Sequence, residues 1–301
     1  MYQQFFGLNE LPFTLTPNTH YFLNLPTHQE ALNLILVALE NGDGFVKIVG
    51  EVGTGKTLLC RKVLNALDED CISAYIPNPY LSADGFRMAF ARELGLELDT
   101  LKGSFDLLER INQRLVELVA EGKRVVLIVD EAQAMPEKTI EALRLLTNLE
   151  TETTKLFQVV LFGQPELDEL LGQSSLRQLL QRITFSYRLR HLDLEGTGQY
   201  LHHRLTLAGY NGVPLFEAKA VKKLWQASSG TPRLINILAH KALMVAYGKG
   251  DRRVSAAQVV TAVEDTEGVV LQSSAKPRLW LAGLAMLAVG LSAGLVLGGL
   301  L

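Results

Sequence analysis

Residues 45–57 read FVKIV-GEVGTGKT, a short apolar run followed by a glycine-rich loop. An apolar run of this length that ends at a glycine is typical of a buried β-strand. The eight residues after it match the pattern G-x-x-x-x-G-K-[ST], and an apolar helical pattern, LLCRKVL, follows. Strand, loop and helix in this order are the context in which the pattern binds the phosphates of a nucleotide. The stretch therefore predicts a phosphate-binding loop (P-loop) in an α/β fold.

The chemistry of the loop follows from its residue types. Glycines let successive backbone N–H groups turn inward and form an anion-binding nest, and the N-terminus of the next helix adds partial positive charge. We expect Lys56 to reach the β- and γ-phosphates of ATP and the Thr57 hydroxyl to ligate Mg²⁺. The predicted ATP-binding residues of the loop are Gly50, Glu51, Val52, Gly53, Thr54, Gly55, Lys56 and Thr57.

The second half of such a site is predicted at the end of another strand. Val125–Val129 (VVLIV) is a clear buried strand, and Asp130 and Glu131 follow it directly. Asp130 is expected to hold Mg²⁺, directly or through water, while Glu131 polarises the attacking water. An Asp-Glu pair alone often marks a turn, but the pair and the loop together indicate a Mg²⁺-dependent ATPase.

Two further polar residues fit the same site. Gln164 directly follows the predicted strand at residues 158–162, so we expect it between the two nucleotide motifs, within reach of the γ-phosphate. Arg233 opens a predicted helix and is expected to bridge to bound ATP. Taken alone, Gln164 is equally well explained as a turn residue and Arg233 as a solvated helix start.

Strand and helix patterns alternate along the first 190 residues, which predicts a parallel sheet with helices on both faces. The predicted strands are 45–49, 71–76, 125–129, 158–162 and 183–189. In the last of these, apolar and polar residues alternate, which predicts that one face is more exposed to water. The predicted helices between them are 27–39, 82–94, 104–120 and one after Pro136. Four helices, at 193–208, 217–227, 231–248 and 255–267, follow without strands. We therefore predict an α/β domain over residues 1–190, an all-helical lid domain over 191–268 and a linker over 269–278.

Residues 279–301 read LWLAGLAMLAVGLSAGLVLGGLL and carry no charge. As a helix they would span about 34 Å at about 1.5 Å per residue, enough for a hydrocarbon core of about 30 Å. Lys276, Arg278 and Trp280 provide a cationic and aromatic flank. We expect a single-pass transmembrane anchor in the inner (cytoplasmic) membrane, with the N-terminal body in the cytoplasm. A glycine stripe along one face of this helix favours close helix packing; its members are Gly290, Gly294 and Gly298.

The overall charge does not favour binding to nucleic acid. The chain has 48% hydrophobic and 20% charged residues and a formal net charge of -3, so we expect no nucleic-acid partner. A local basic stripe nevertheless leaves a DNA-binding regulator open as an alternative; its members are Arg177, Arg182, Arg188 and Arg190. The two cysteines, Cys60 and Cys71, lack metal-ligand spacing and are read as reduced thiols.

Together the motifs resemble the AAA+ ATPases, and within them the ExeA/GspA secretion-assembly group, including its branch in mannose-sensitive haemagglutinin (MSHA, type IV) pilus biogenesis. The resemblance covers residues 1 to about 268. The segments that carry it are YQQFFGLNELPFTLTPNTHYF, GEVGTGKT, VVLIVDEAQ, LFGQPEL, LRQLLQRI and SSGTPRLIN.

The resemblance implies a role for several of these residues. It implies Gln164 as sensor 1, Arg233 as sensor 2, and an arginine finger at Arg182, or otherwise Arg177, that reaches the nucleotide of a neighbouring subunit. A finger acting in trans implies a homo-oligomer. The family pattern also places the adenine near the opening segment, where Phe13 and Tyr21 are equally well explained as core.

The function implied is ATP hydrolysis that helps inner-membrane proteins to assemble a pilus or a type II secretion-like apparatus. Two other functions remain open: an ATP-dependent DNA-binding regulator of the transposition AAA+ type, and a scaffold that binds ATP with little turnover. Larger ExeA-type proteins continue past their membrane span into a periplasmic peptidoglycan-binding domain. We do not expect direct cell-wall binding here.

Overall fold

A computed structural model of the protein describes residues 2–97, 104–149 and 155–269. Within these residues the strands form one five-stranded sheet in the order β2-β3-β4-β1-β5, and every neighbouring pair is parallel. The predicted parallel sheet is confirmed. The strands are β1 (Phe45–Val49), β2 (Cys71–Ile76), β3 (Arg124–Val129), β4 (Gln158–Gly163) and β5 (Phe185–Arg188).

The predicted helices lie close to their expected positions, and three short helices, α1, α7 and α8, were not predicted. Short 3₁₀ turns occur at Thr19–Tyr21, Ala132–Ala134 and Ser174–Leu176. The α-helices are α1 (Tyr2–Phe6), α2 (Pro26–Glu40), α3 (Lys56–Ala66), α4 (Ala83–Glu93), α5 (Ser104–Ala120), α6 (Glu137–Leu146), α7 (Glu166–Leu171), α8 (Arg177–Leu180), α9 (Leu194–Leu207), α10 (Ala218–Ser228), α11 (Pro232–Lys249) and α12 (Ala256–Glu264).

Both faces of the sheet are covered, as the continuous apolar strands predict. Successive side chains of β3 alternate between two cores: Val125 and Leu127 belong to one, Val126 and Ile128 to the other. Helices α4, α5 and α6 supply residues to the first core, and α2 and α3 to the second. The nucleotide motifs lie at the carboxyl ends of the strands: the glycine-rich loop follows β1, and Asp130 and Glu131 follow β3.

Strand β5 is shorter than predicted and does not follow the predicted alternation. It covers residues 185–188 rather than 183–189 and pairs only with β1, at the edge of the sheet. Ile183 precedes the strand and packs against the first core, whereas Leu189 lies in the second. Phe185 is 37% exposed, and among the described residues β5 has no strand on its outer side.

Helices α9 to α12 form a separate core, which includes residues from the N-terminus of the chain. Tyr2, Phe6 and Phe13 are buried in it. The Tyr2 hydroxyl lies 2.8 Å from Nδ1 of His240, and the N–H of Asn9 donates to the carbonyl of Ala208 at 2.8 Å. The opening segment, which the sequence-based division assigns to the α/β domain, therefore packs with the helical domain.

The predicted anchor lies outside the described residues, as do its glycine stripe and the linker beyond Val269. Over the part of the chain that the structure describes, no helix is both long enough and apolar enough to span a bilayer.

Candidate nucleotide-binding site

The loop between β1 and α3 closes around Lys56. Gly53 (φ +79°) and Gly55 (φ +98°) adopt left-handed conformations that side chains disfavour, so the loop can turn its backbone N–H groups inward. Lys56 is 4% exposed, and its Nζ donates to the carbonyls of Gly50 (2.7 Å) and Glu51 (3.0 Å). Burial lowers the pKa of Lys56, although Glu131 and Asp130 nearby favour its charged form.

The remaining loop residues brace this turn or face the cleft. The Thr54 side chain is buried and donates from Oγ1 to the carbonyl of Glu51 at 2.8 Å. The N–H of Gly50 donates to the carbonyl of Gly163 at 3.1 Å, which ties the loop to the end of β4. Val52 is exposed, and with Lys56 it lines a cleft.

Asp130 directly follows β3 and is only 2% exposed. Its Oδ1 accepts from the N–H of Glu131 at 2.9 Å, and the Thr57 hydroxyl also hydrogen-bonds its carboxylate. Burial nonetheless raises the pKa of Asp130, because the surrounding protein solvates the negative charge poorly. A buried carboxylate beside a hydroxyl is the oxygen donor set that Mg²⁺ prefers. The structure thus places the two predicted metal ligands, Thr57 and Asp130, in contact.

Glu131 is held by two glutamine side chains. Its Oε2 accepts from Nε2 of Gln133 at 2.5 Å and from Nε2 of Gln164 at 3.0 Å. Burial alone would raise the pKa of Glu131, but the two hydrogen bonds and the charge of Lys56 together lower it. Glu131 also has a left-handed backbone (φ 52°), a strained conformation for a non-glycine residue. Glu131 lines the cleft together with Lys56 and Gln164, and its lowered pKa favours the ionised carboxylate.

Gln164 therefore lies where the sequence places it, beside the catalytic candidate. Besides contacting Glu131, it donates from its backbone N–H to Oε1 of Gln133 at 3.0 Å. Gln133, which sequence reasoning did not single out, bridges the ends of β3 and β4. The signal that could have identified it is its position two residues after Glu131 in DEAQ.

Arg233 brings the helical domain to the loop. It lies at the start of α11, and its backbone N–H donates to the carbonyl of Gly53 at 3.3 Å. A Cβ on Gly53 would come within 2.6 Å of Cβ of Arg233, so only glycine permits this approach. The Arg233 side chain is exposed and lines the same cleft as Lys56, Glu131 and Gln164.

The far wall of the cleft comes from residues that sequence reasoning did not single out, although the resemblance places the adenine near the opening segment. It is formed by the segment 14–18 together with Tyr200, Arg204 and Asn236 of the helical domain. Asn236 accepts from the Tyr200 hydroxyl at 3.1 Å. Phe13 and Tyr21, the adenine candidates left open above, are both buried and do not line this cleft.

Arg204 connects this wall to the N-terminal segment. It is 5% exposed and donates to the carbonyls of Pro12 and Thr14 (3.3 Å for the latter) and to the Tyr200 hydroxyl at 2.9 Å. Its guanidinium also lies 4.5 Å from the ring centre of Tyr21. The available signal was a charged residue on the apolar face of α9, where the flanking Leu201 and Leu205 are buried.

The two arginine-finger candidates do not line the cleft. Arg182 donates from Nη1 to Oγ1 (2.7 Å) and to the carbonyl (2.9 Å) of Thr147, and from Nη2 to Oδ1 of Asn148. Arg177 is exposed at the start of α8. Arg188, another member of the basic stripe, forms an ion pair with Asp168 at 2.6 Å. Two of the four arginines of the stripe, Arg182 and Arg188, therefore bind other residues of the chain.

Comparison with known proteins agrees with this geometry. A family model described as an AAA domain matches residues 39–171. General secretion pathway protein A of Aeromonas hydrophila is 42% identical over 269 residues, which cover 89% of this chain. The chain spans about half the length of that relative, since the match covers 49% of it.

Solved structures share the fold at low sequence identity. The ORC2 protein of Aeropyrum pernix, solved as ADPNP-ADP complexes, is 18% identical with a TM-score of 0.60, covering 85% of this chain and 73% of that one. Cdc6p of Pyrobaculum aerophilum is 17% identical with a TM-score of 0.64, covering 84% and 70%. The RuvB Holliday junction branch migration motor of Thermotoga maritima is 19% identical with a TM-score of 0.55, covering 81% and 70%.

Proposed function

Since the chain is an AAA+ ATPase of the General secretion pathway protein A type, we propose that it hydrolyses ATP with Mg²⁺ to drive assembly of a secretion or pilus apparatus at the inner membrane. The observation that carries the proposal is the position of Glu131. Its carboxylate is held between the Lys56 loop and Gln164, and its lowered pKa keeps it ionised as a base.

Each residue of the site has its own role in this proposal. Lys56 and the N–H groups of the loop bind the phosphates, and Thr57 with Asp130 would hold Mg²⁺, which neutralises phosphate charge when bound. Glu131 accepts a proton from the attacking water at its carboxylate, and Gln164 keeps that carboxylate oriented. Arg233 senses the nucleotide from the helical domain, because its backbone already contacts Gly53.

The test of hydrolysis uses three proteins: wild type, Lys56→Ala and Glu131→Gln. We expect Mg²⁺-dependent phosphate release from wild type only. Lys56→Ala should lose ATP binding, whereas Glu131→Gln should bind ATP and lose turnover, since it keeps the shape of the side chain without the base. Wild-type turnover in both variants would exclude this site. Tight ATP binding by wild type with negligible single-turnover hydrolysis would favour the scaffold alternative.

The cellular role rests on the relative and on the apolar residues 279–301. Residues 279–301 would anchor the ATPase, and an arginine finger in trans would make hydrolysis depend on a homo-oligomer. The test is crosslinking and pulldown from membranes with the full chain and with a chain ending at Gly268. Pilus or secretion assembly proteins recovered only with the full chain support the role. Salt-sensitive, ATP-dependent binding of residues 1–268 to duplex DNA would favour the regulator instead.

A further inference from the structure

A buried histidine contacts the backbone of the P-loop. His28 lies in the first turn of α2, is 7% exposed, and places its Nε2 2.9 Å from the carbonyl oxygen of Thr54. A carbonyl only accepts hydrogen bonds, so Nε2 carries the proton and donates. The other ring nitrogen, Nδ1, is then free to accept from Oγ1 of Thr27 at 3.4 Å. The tautomer is therefore fixed by the surroundings.

The contact determines the orientation of one peptide plane in the loop. In a trans peptide the C=O and the following N–H point in opposite directions. The carbonyl of Thr54 points back to His28, so the N–H of Gly55 points away from His28. Gly55 lines the cleft, together with Lys56 and Thr57. An N–H in this position is one of the donors that a phosphate needs.

The ring also limits what the loop can contain. A Cβ on Gly55 would lie 3.1 Å from Nε2 of His28, and the φ of +98° already disfavours any side chain there. Phe22 packs edge-on against the imidazole with ring centres 5.9 Å apart, so the ring is held on its other side. His28 is thus a fixed support and not a surface residue that happens to touch the loop.

We propose that His28 is a positioning residue for nucleotide binding, which holds the Thr54–Gly55 peptide so that the Gly55 N–H faces the phosphates. Without a donor at this place, the buried carbonyl of Thr54 has no partner, and the peptide rotates to find one. Rotation turns the carbonyl oxygen toward the cleft, where it repels a phosphate. Nucleotide binding must then reverse the rotation, which weakens affinity and leaves the catalytic carboxylate of Glu131 untouched.

The test compares variants that differ in one donor. Glutamine places an amide N–H near the position of Nε2, whereas asparagine is one bond shorter and falls short of the Thr54 carbonyl. We measure ADP affinity by titration calorimetry, and KM and kcat for ATP, on the full chain in detergent. His28→Leu and His28→Asn should bind ADP about tenfold more weakly, with KM raised and kcat at saturation within about twofold of wild type. His28→Gln should remain within about threefold of wild type.

A matched control is His240→Leu, which removes a half-buried histidine of the helical domain that hydrogen-bonds Tyr2 and does not line the cleft. It should bind ADP as wild type does. Wild-type affinity in His28→Asn overturns the proposal, and so does a His28→Gln that folds normally by circular dichroism and yet binds as weakly as His28→Asn. If His28→Leu does not fold, the Gln and Asn pair decides. The proposal rests on nucleotide binding, and a wild-type chain that binds no ADP overturns that function first.

Discussion

The side-chain amide of Gln164 donates a hydrogen bond of 3.0 Å to the carboxylate of Glu131. The two residues lie at the ends of β4 and β3, which are neighbours in the sheet, so the contact is a consequence of strand order. It joins the residue that would sense the γ-phosphate to the residue that would activate water. A change at one end is therefore transmitted to the other through this hydrogen bond and through Gln133, which hydrogen-bonds both residues.

Replacing Gln164 by alanine should lower kcat and shift its pH dependence. The hydrogen bond from Gln164 lowers the pKa of Glu131, so its loss should raise that pKa. The base is active when ionised, and the acidic limb of the rate profile should move to higher pH. We expect kcat at neutral pH to fall by roughly 100-fold, the lower end of the cost of losing one oriented donor, with ATP affinity little changed. Turnover measured from pH 5 to 8 checks this, and an unshifted acidic limb would contradict it.

Replacing Arg204 by methionine should destabilise the fold. Methionine is apolar and of similar length, but it leaves the buried carbonyl of Pro12 without its Arg204 donor, while the Thr14 carbonyl keeps a donor in Asn236. A buried acceptor without a donor costs about 1–3 kcal/mol, so we expect a loss of roughly 1–3 kcal/mol in the free energy of unfolding. Urea denaturation measures it. Arg253→Met is the matched control, because Arg253 is exposed, and its stability should stay within about 0.5 kcal/mol of wild type.

Alanine variants of the two arginine-finger candidates should differ in thermal stability. Arg182 supports the end of α6 through Thr147 and Asn148, so Arg182→Ala should lower the thermal midpoint of the isolated chain by several degrees. Arg177 is exposed, and Arg177→Ala should leave the thermal midpoint unchanged. If Arg177 is the finger, its alanine variant should lose turnover with full stability. That loss should be rescued when Arg177→Ala is mixed with Glu131→Gln, since mixed interfaces then contain one intact site. No rescue by mixing would contradict a finger in trans at this position.

The sequence predicted the strands and the loop because these depend on local pattern. Continuous apolar runs specify strands that are buried on both faces, and the loop needs glycines at fixed spacing before Lys56. Gln164 was predictable for a related reason: parallel strands end at one edge of the sheet, so a residue after one strand lies near residues after the next.

Long-range partners were not predictable in this way. His28 and Arg204 each lie on the apolar face of a helix, where the pattern shows only that the position is buried. Their partners, Thr54 and Pro12, are 26 and 192 positions away along the chain. Which carbonyl each one satisfies depends on how the helices pack, and that information is not local. The same reason applies to the opening segment, whose apolar residues are compatible with either core and in the structure pack with helices α9 to α12.

Acidification should weaken the fold through His28, and the sign follows from its burial. Burial lowers the pKa of His28 below its usual value near 6.5, so the folded protein keeps the ring neutral while the unfolded chain takes up a proton. The stabilisation that the neutral His28 ring gives to the folded protein is fully present above about pH 6.5 and is lost as pH falls below that value. Glutamine does not titrate, so wild type should lose stability relative to His28→Gln between pH 7.5 and 5.5. Urea unfolding of both proteins at each pH gives this difference directly. A difference that stays constant with pH would show that the imidazole is protonated equally in both states and would contradict a neutral, donating His28.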